Sequence, residues 1–266
     1  MTVAVACNLS DGVILGVDSA VSVPVPGGVG KVYEHAEKLF QLGEQPIGVA
    51  TYGLGVLGNR SIGSYLREFE VRDPHSVVSK PGKVADLVEA MRAFFMSYYG
   101  EHIPVTDQGA VLGLVVAGYS FGDYLSEVWH IQIPQHGEPG GAELSREQGN
   151  FGLHWWGAYG PIQRYALGYD DNLKEDHKSY FQELLGRGFT PEESHELDDI
   201  FARYGYEIYS GAMPMREGIE YIRWLVELVV NHYRFIEEQP MIVGGAVNVG
   251  LVTYTEEKFR ILGPTV

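Results

Sequence analysis

The strongest constraint on folding lies at the beginning of the chain, where two apolar runs flank a tight turn. Val3, Val5 and Cys7 alternate with small residues, Ser10-Asp11-Gly12 follows, and Val13-Ile14-Leu15-Gly16-Val17-Asp18 makes the second run. An Asp-Gly pair between two apolar runs is a hairpin signal, because both residues tolerate tight-turn backbone. A hairpin this apolar has to be covered, so it must be stacked against other layers.

The remaining pattern supplies those layers. Lys38-Leu39-Phe40-Gln41-Leu42 and Ile47-Gly48-Val49-Ala50-Thr51 read as a strand pair around Gly43–Pro46, and Val23–Gly30 reads as loop from its proline and glycine content. Ile62, Tyr65, Leu66 and Phe69, and then Val84, Leu87, Val88, Met91, Phe94, Phe95 and Tyr98, recur at the helical period. Strands return at 110–117 and 125–133, and a Gly/Pro-rich connection over 135–150 leads to another at 151–156. Residues 160–236 read as helical. Thr190-Pro191-Glu192-Glu193 has the cap, proline and acids of a helix start, and Ile219, Ile222, Leu225, Val226, Val229 and Tyr233 form a broad apolar stripe. Strands over 243–254 and 259–262 close the chain. The order predicts an α+β fold, two antiparallel sheets between helical layers, with 1–266 as a single domain and an enlarged helical region around 170–215.

Composition narrows the function. The net charge is −16, with Lys and Arg scattered singly, which argues against a nucleic-acid partner. Segment 170–200 holds ten acidic and three basic residues and reads as a solvated face. The lone Cys7 allows no intrachain disulfide and reads as a small core residue, which fits a reducing compartment. No apolar run is long enough for a membrane helix and no signal peptide is visible, so the expected location is cytoplasmic, with no membrane partner.

Thr2 carries the chemistry. Removal of Met1 would place a hydroxyl and a free α-amine on one residue, and an α-amine with a pKa of roughly 7.7–8 can accept the hydroxyl proton near neutrality. The stretch "TVAVAC" followed by "SDGVILGVDS", then "EKLFQL", "IGVATYGLG", "GAYGP" and "VGGAVNVGLVTY", resembles the proteasome β-subunit type of N-terminal-nucleophile hydrolases, including the HslV-type ring peptidases and related bacterial proteasome homologues. The resemblance is closest over residues 2–55. It implies a four-layer αββα sandwich and a threonine peptidase with no cofactor and no metal. Asp18, sixteen positions after Thr2, would be the catalytic acid, Lys38 the catalytic lysine and Gly53 the oxyanion-hole amide. Ala20, Val21, Ser22, Thr51 and Gly55 would line the substrate channel. It also implies a self-assembled homo-oligomeric ring acting on peptide or unfolded protein, with an ATP-dependent unfoldase as a partner.

The chain departs from that pattern in two places. Gly157-Ala158-Tyr159-Gly160 stands where the family has a serine, and Pro240 and Val243 stand where it has an aspartate and a serine, leaving Glu237, Glu238 or Gln239 as substitutes. A non-catalytic scaffold subunit and an amidohydrolase of small amides are therefore the alternatives. His195-Glu196 with Asp198 and Asp199 lacks a second histidine at metal-ligand spacing. His130 and His136 read as surface residues, and Trp155-Trp156 as packing or an interface.

Overall fold

The computed structural model describes residues 2–25, 28–104, 109–134, 141–206, 211–236, 243–256 and 258–263. The strands are β1 (Val3–Leu9), β2 (Gly12–Asp18), β3 (Val21–Val25), β4 (Gly28–Tyr33), β5 (Leu39–Gln41), β6 (Ile47–Gly53), β7 (Val56–Leu57), β8 (Arg60–Ser61), β9 (Leu112–Gly118), β10 (Glu127–Ile133), β11 (Gly141–Arg146), β12 (Gly152–Gly157), β13 (Val247–Thr253) and β14 (Arg260–Leu262). The helices are α1 (Ile62–Arg72), α2 (Val84–His102), α3 (Gly160–Leu167), α4 (Asp171–Leu185), α5 (Pro191–Ala202) and α6 (Met215–Phe235). The chain divides into two compact units, one formed by Met1–Ala158 and Tyr209–Val266, the other by Tyr159–Ile208.

The first unit holds two five-stranded antiparallel sheets, ordered β12-β1-β2-β13-β14 and β11-β10-β9-β6-β5. Ala4, Ala6, Val13, Leu15 and Val17 of the first sheet pack with Ala50, Val115, Ala117 and Val128 of the second. The far face of the second sheet packs Val49, Leu114, Val116 and Ile131 against Tyr65, Leu66 and Phe69 of α1 and Leu87, Met91 and Phe95 of α2. Helix α6 lies along β1, β2 and β13 with Ile222, Leu225, Val226 and Val229 buried. Every residue of β1 and β2 is consequently buried. The apolar hairpin at the start of the chain is covered on both faces, as its sequence demands.

Two stretches differ from the sequence expectation. Part of the segment read as loop, 23–30, belongs to the two-stranded ribbon β3–β4. Pro24 is accommodated at an irregularity in that pairing, where a missing N–H is tolerated. The connection over 135–150 contains β11, which pairs with β10 at the edge of its sheet. An edge strand needs only one apolar face, so Gly141–Arg146 carries too little hydrophobic signal to be read as a strand.

The second unit comprises α3, α4 and α5. Asp170 caps α4 by accepting from Leu173 N–H at 2.9 Å. Thr190 and Glu193 form a reciprocal capping box at the start of α5. Arg187 grips both oxygens of Glu193 at 2.7 Å, which together with the Thr190 N–H brings that carboxyl down to about 2. Helix α4 buries none of its residues, and the acidic run of this segment is solvated. No helix among the described residues is long and apolar enough to cross a membrane.

Candidate active site

The first hairpin places Thr2 and Asp18 together by register. Leu9 pairs with Gly12 and Ala4 with Val17, so one further step sets Asp18 opposite Val3 at the open end of the hairpin. Val3 N–H donates to Asp18 Oδ1 at 3.1 Å. Asp18 Oδ2 accepts from Ala20 N–H at 3.2 Å and Gly244 N–H at 3.1 Å. Lys38 reaches the same point from the other sheet. It directly precedes β5, and its carbonyl accepts from Thr51 N–H at 2.8 Å. Its Nζ donates to Thr2 Oγ1 at 2.6 Å and to Asp18 Oδ1 at 3.1 Å. The three residues are 3%, 0% and 5% exposed, for Thr2, Asp18 and Lys38 in turn, so the contact is made away from bulk water.

Burial pushes the Lys38 amine below the ordinary lysine range, and the Asp18 charge and hydrogen bond pull it partly back. Burial likewise pushes the Asp18 carboxyl up, opposed by Lys38 and by the Gly244 and Val3 amides. A lysine so placed is easier to deprotonate than a free one, while as an ammonium it stabilises negative charge on Thr2 Oγ1. Thr2 is held by backbone as well: its carbonyl accepts from Ala158 N–H at 2.9 Å. Gly157, opposite Val3, has φ +79°, and a Cβ there would lie 2.0 Å from the Thr2 oxygen, so only glycine fits.

Thr2 and Lys38 open onto a cleft of about 160 Å³ in the first unit. Its walls include Val21, Thr51, Gly53 and Gly55, with Glu37 and Arg67 beside Ser61 and Ile62. Gly53 ends β6 with φ +78°, and a Cβ there would lie 2.0 Å from the Val111 carbonyl oxygen. Leu54 N–H donates to that same oxygen at 2.8 Å, turning the chain along the cleft wall.

No protein-family model matches the sequence, and no curated protein matches it. Solved structures do. The chain is similar to Anbu (ancestral beta-subunit) from Yersinia bercovieri, at 13% identity and TM-score 0.58, over 97% of this chain and 86% of that one. An Anbu Gly-1 mutant from Hyphomicrobium sp. strain MC1 aligns at 12% identity and TM-score 0.50, over 98% and 86%. The Anbu complex from Pseudomonas aeruginosa, described as a helical assembly, aligns at 11% identity and TM-score 0.54, over 94% and 81%. The fold is the proteasome-like fold of the Anbu proteins. The expected membership of the proteasome β-subunit and HslV-like family is thereby corrected, since no family model supports it and these three similar structures are Anbu proteins.

Of the residues singled out from sequence, Lys38 meets both Thr2 and Asp18, and Val21, Thr51, Gly53 and Gly55 line the cleft. Ala20 and Ser22 do not. Ala20 is buried, its N–H shared between Asp18 and the Gly244 carbonyl, and Ser22 belongs to the ribbon, opposite Val32. Val243 is fully buried, and Glu237, Glu238, Gln239 and Pro240 lie outside the described residues, as does His136. His130 is buried rather than exposed, because its strand face looks into the space between the sheets. Trp156 packs there against the rings of His130 and His154. Cys7 is buried, with its thiol pushed up to about 12 by desolvation. His195 and Asp199 face each other across one exposed turn of α5, and among the described residues no group of three or more metal-binding side chains occurs.

Sequence reasoning missed Gly157, Ala158, Glu37 and Arg67. Gly157 and Ala158 were visible only as a departure from the serine pattern. Glu37 and Arg67 pair at 2.6 Å from well-separated segments, so no local spacing announces them.

Proposed function

We propose that the chain is an N-terminal-threonine hydrolase of peptide bonds, with Thr2 as nucleophile once it becomes the first residue. The observation that carries this is the buried 2.6 Å contact between Lys38 Nζ and Thr2 Oγ1, with Asp18 behind it and a cleft in front. The Thr2 α-amine takes the hydroxyl proton while Lys38 favours the alkoxide. Oγ1 adds to the substrate carbonyl carbon, and the oxyanion is met by the Gly53 amide N–H. Collapse breaks the C–N bond, the leaving amine takes the proton from the α-amine, and an ester on Thr2 remains. Water then hydrolyses that ester and restores the hydroxyl.

A cleft of about 160 Å³ suits a single side chain, with Val21, Thr51 and Gly55 along its edges. The two sheets with α6 on one side and α1 and α2 on the other are read as a four-layer αββα sandwich, and 1–266 as one functional domain. The chain is also read as self-associating in the cytoplasm, on the analogy of the Anbu helical assembly, with peptide or unfolded protein as substrate and an ATP-dependent unfoldase as feeder. Hydrolysis of a fluorogenic peptide panel by wild type, Thr2→Ala and Lys38→Ala tests the proposal. Activity lost in both variants is expected, and wild-type rates in Thr2→Ala would overturn it.

A second reading is a catalytically silent scaffold. It is favoured by Ala158 and the buried Val243, which bring no hydroxyl to the Thr2 side of the site. A wild-type protein that self-associates and cleaves no member of the panel would establish it.

A further inference from the structure

The layer between the two sheets contains a chain of polar side chains that ends at the cleft. Tyr52 lies on β6 between Thr51 and Gly53, and all three line the cleft. Its ring is buried in the core cluster that also holds Ala4, Val17, Val115 and Trp156. Its hydroxyl stands 2.6 Å from His130 Nε2 on β10, with Gln132 Oε1 a longer acceptor at 3.2 Å. His130 Nδ1 stands 3.1 Å from Oε1 of Glu143 on β11. The carboxylate can only accept, so Nδ1 carries the proton and Nε2 accepts from the Tyr52 hydroxyl. The Tyr52 and His130 rings also stack, with centroids 5.8 Å apart.

The other flank of Tyr52 faces the backbone that holds the nucleophile. Its Cδ2 lies 3.4 Å from where Gly157 would carry a Cβ, and that point is 2.0 Å from the Thr2 carbonyl oxygen. The ring therefore sits between the strand end that fixes Thr2 and the strand end that presents Gly53. Phenylalanine would fill the same space without a buried partner, and a buried hydroxyl is expensive unless it is satisfied. A hydrogen-bonded chain from solvent-facing Glu143 to Tyr52 confers one orientation on the ring, which packing alone does not.

Resting on the reading of Thr2 as nucleophile, we propose that Tyr52, held by His130 and Glu143, is a positioning residue that sets the separation of Thr2 Oγ1 and the Gly53 amide. Its hydroxyl is engaged with His130 and Gln132 rather than with the reacting atoms. It acts through Gly157 on one side and through the backbone of β6 on the other.

Steady-state peptide hydrolysis by Tyr52→Phe, His130→Ala, His130→Gln and the double variant Tyr52→Phe/His130→Ala tests this beside Thr2→Ala. Tyr52→Phe is expected to lower kcat roughly tenfold with KM within about twofold, the mark of lost transition-state alignment rather than lost binding. His130→Gln, whose amide can still meet the Tyr52 hydroxyl, is expected to restore most of what His130→Ala loses. The double variant should be no slower than its worse parent, because both cut the same chain. An unchanged kcat in Tyr52→Phe, with Thr2→Ala inactive, would overturn the positioning role and leave the nucleophile intact. Absence of Thr2-dependent turnover in wild type would overturn both.

Discussion

Lys38 and Asp18 are a buried ion pair, and each is tolerable only because the other is present. Removing one leaves a charge with no partner in a place water does not reach, a loss of about 3–5 kcal/mol in comparable pairs. Lys38→Ala should therefore lower the unfolding free energy obtained from urea titration by an amount in that range, with a matching fall in midpoint, and Lys38→Met with Asp18→Asn should recover much of it. Equal midpoints for wild type and Lys38→Ala would mean that the pair is not buried as described. The Asp-Gly turn of the hairpin was legible in the sequence, whereas Asp18 was singled out through family resemblance, and the register seen in the structure is what sets it opposite Val3. The arrival of Lys38 was legible only through family resemblance, since it depends on how one sheet stacks on the other. Tyr52 and His130 were not legible at all. They are far apart in sequence, and a histidine on a strand next to a Gly/Pro-rich stretch reads as exposed.

Elements with complete caps or strict periodicity were read well, and elements that lean on a neighbour were not. The α5 start was plain from Thr190-Pro191-Glu192-Glu193, because the cap satisfies itself locally. The edge strand β11 was invisible, since its identity comes from pairing with β10. Strand β12 carries a consequence for pH. Burial, with Arg146 nearby, holds His154 down to about 4, while Glu143 acts in the opposite direction and His130 adds to the lowering. His130 is lowered as well by burial, against the pull of Glu143. The unfolded chain takes up a proton on each histidine near the ordinary value of about 6.5 and the folded chain does not, so stability is full above that pH. It is lost as pH falls from there toward 4. Denaturant midpoints at pH 7.5 and pH 5 should show this drop, and His154→Gln should shrink it. A midpoint that rises on acidification would contradict the burial of these rings.

At the scale of the molecule, two antiparallel sheets bring three chain segments to one point: the start of β1, the end of β2 and the residue before β5. The covered sheets were legible because so apolar a hairpin has no stable exposed form. The site's chemistry was legible as residue types and a proteasome-like fold through resemblance, while the likeness to Anbu required the folded chain. Self-association, the molecular-scale expectation of that likeness, should appear as a concentration-dependent mass well above 29.5 kDa in sedimentation velocity. A monomer at all concentrations would remove it. The central claim is that Thr2 becomes the reactive N-terminus, and intact-protein mass spectrometry before and after a peptide epoxyketone tests it most directly. A chain lacking Met1 that gains one inhibitor mass on Thr2 is expected, with no adduct in Thr2→Ala. Quantitative retention of Met1, or equal labelling of Thr2→Ala, would contradict it.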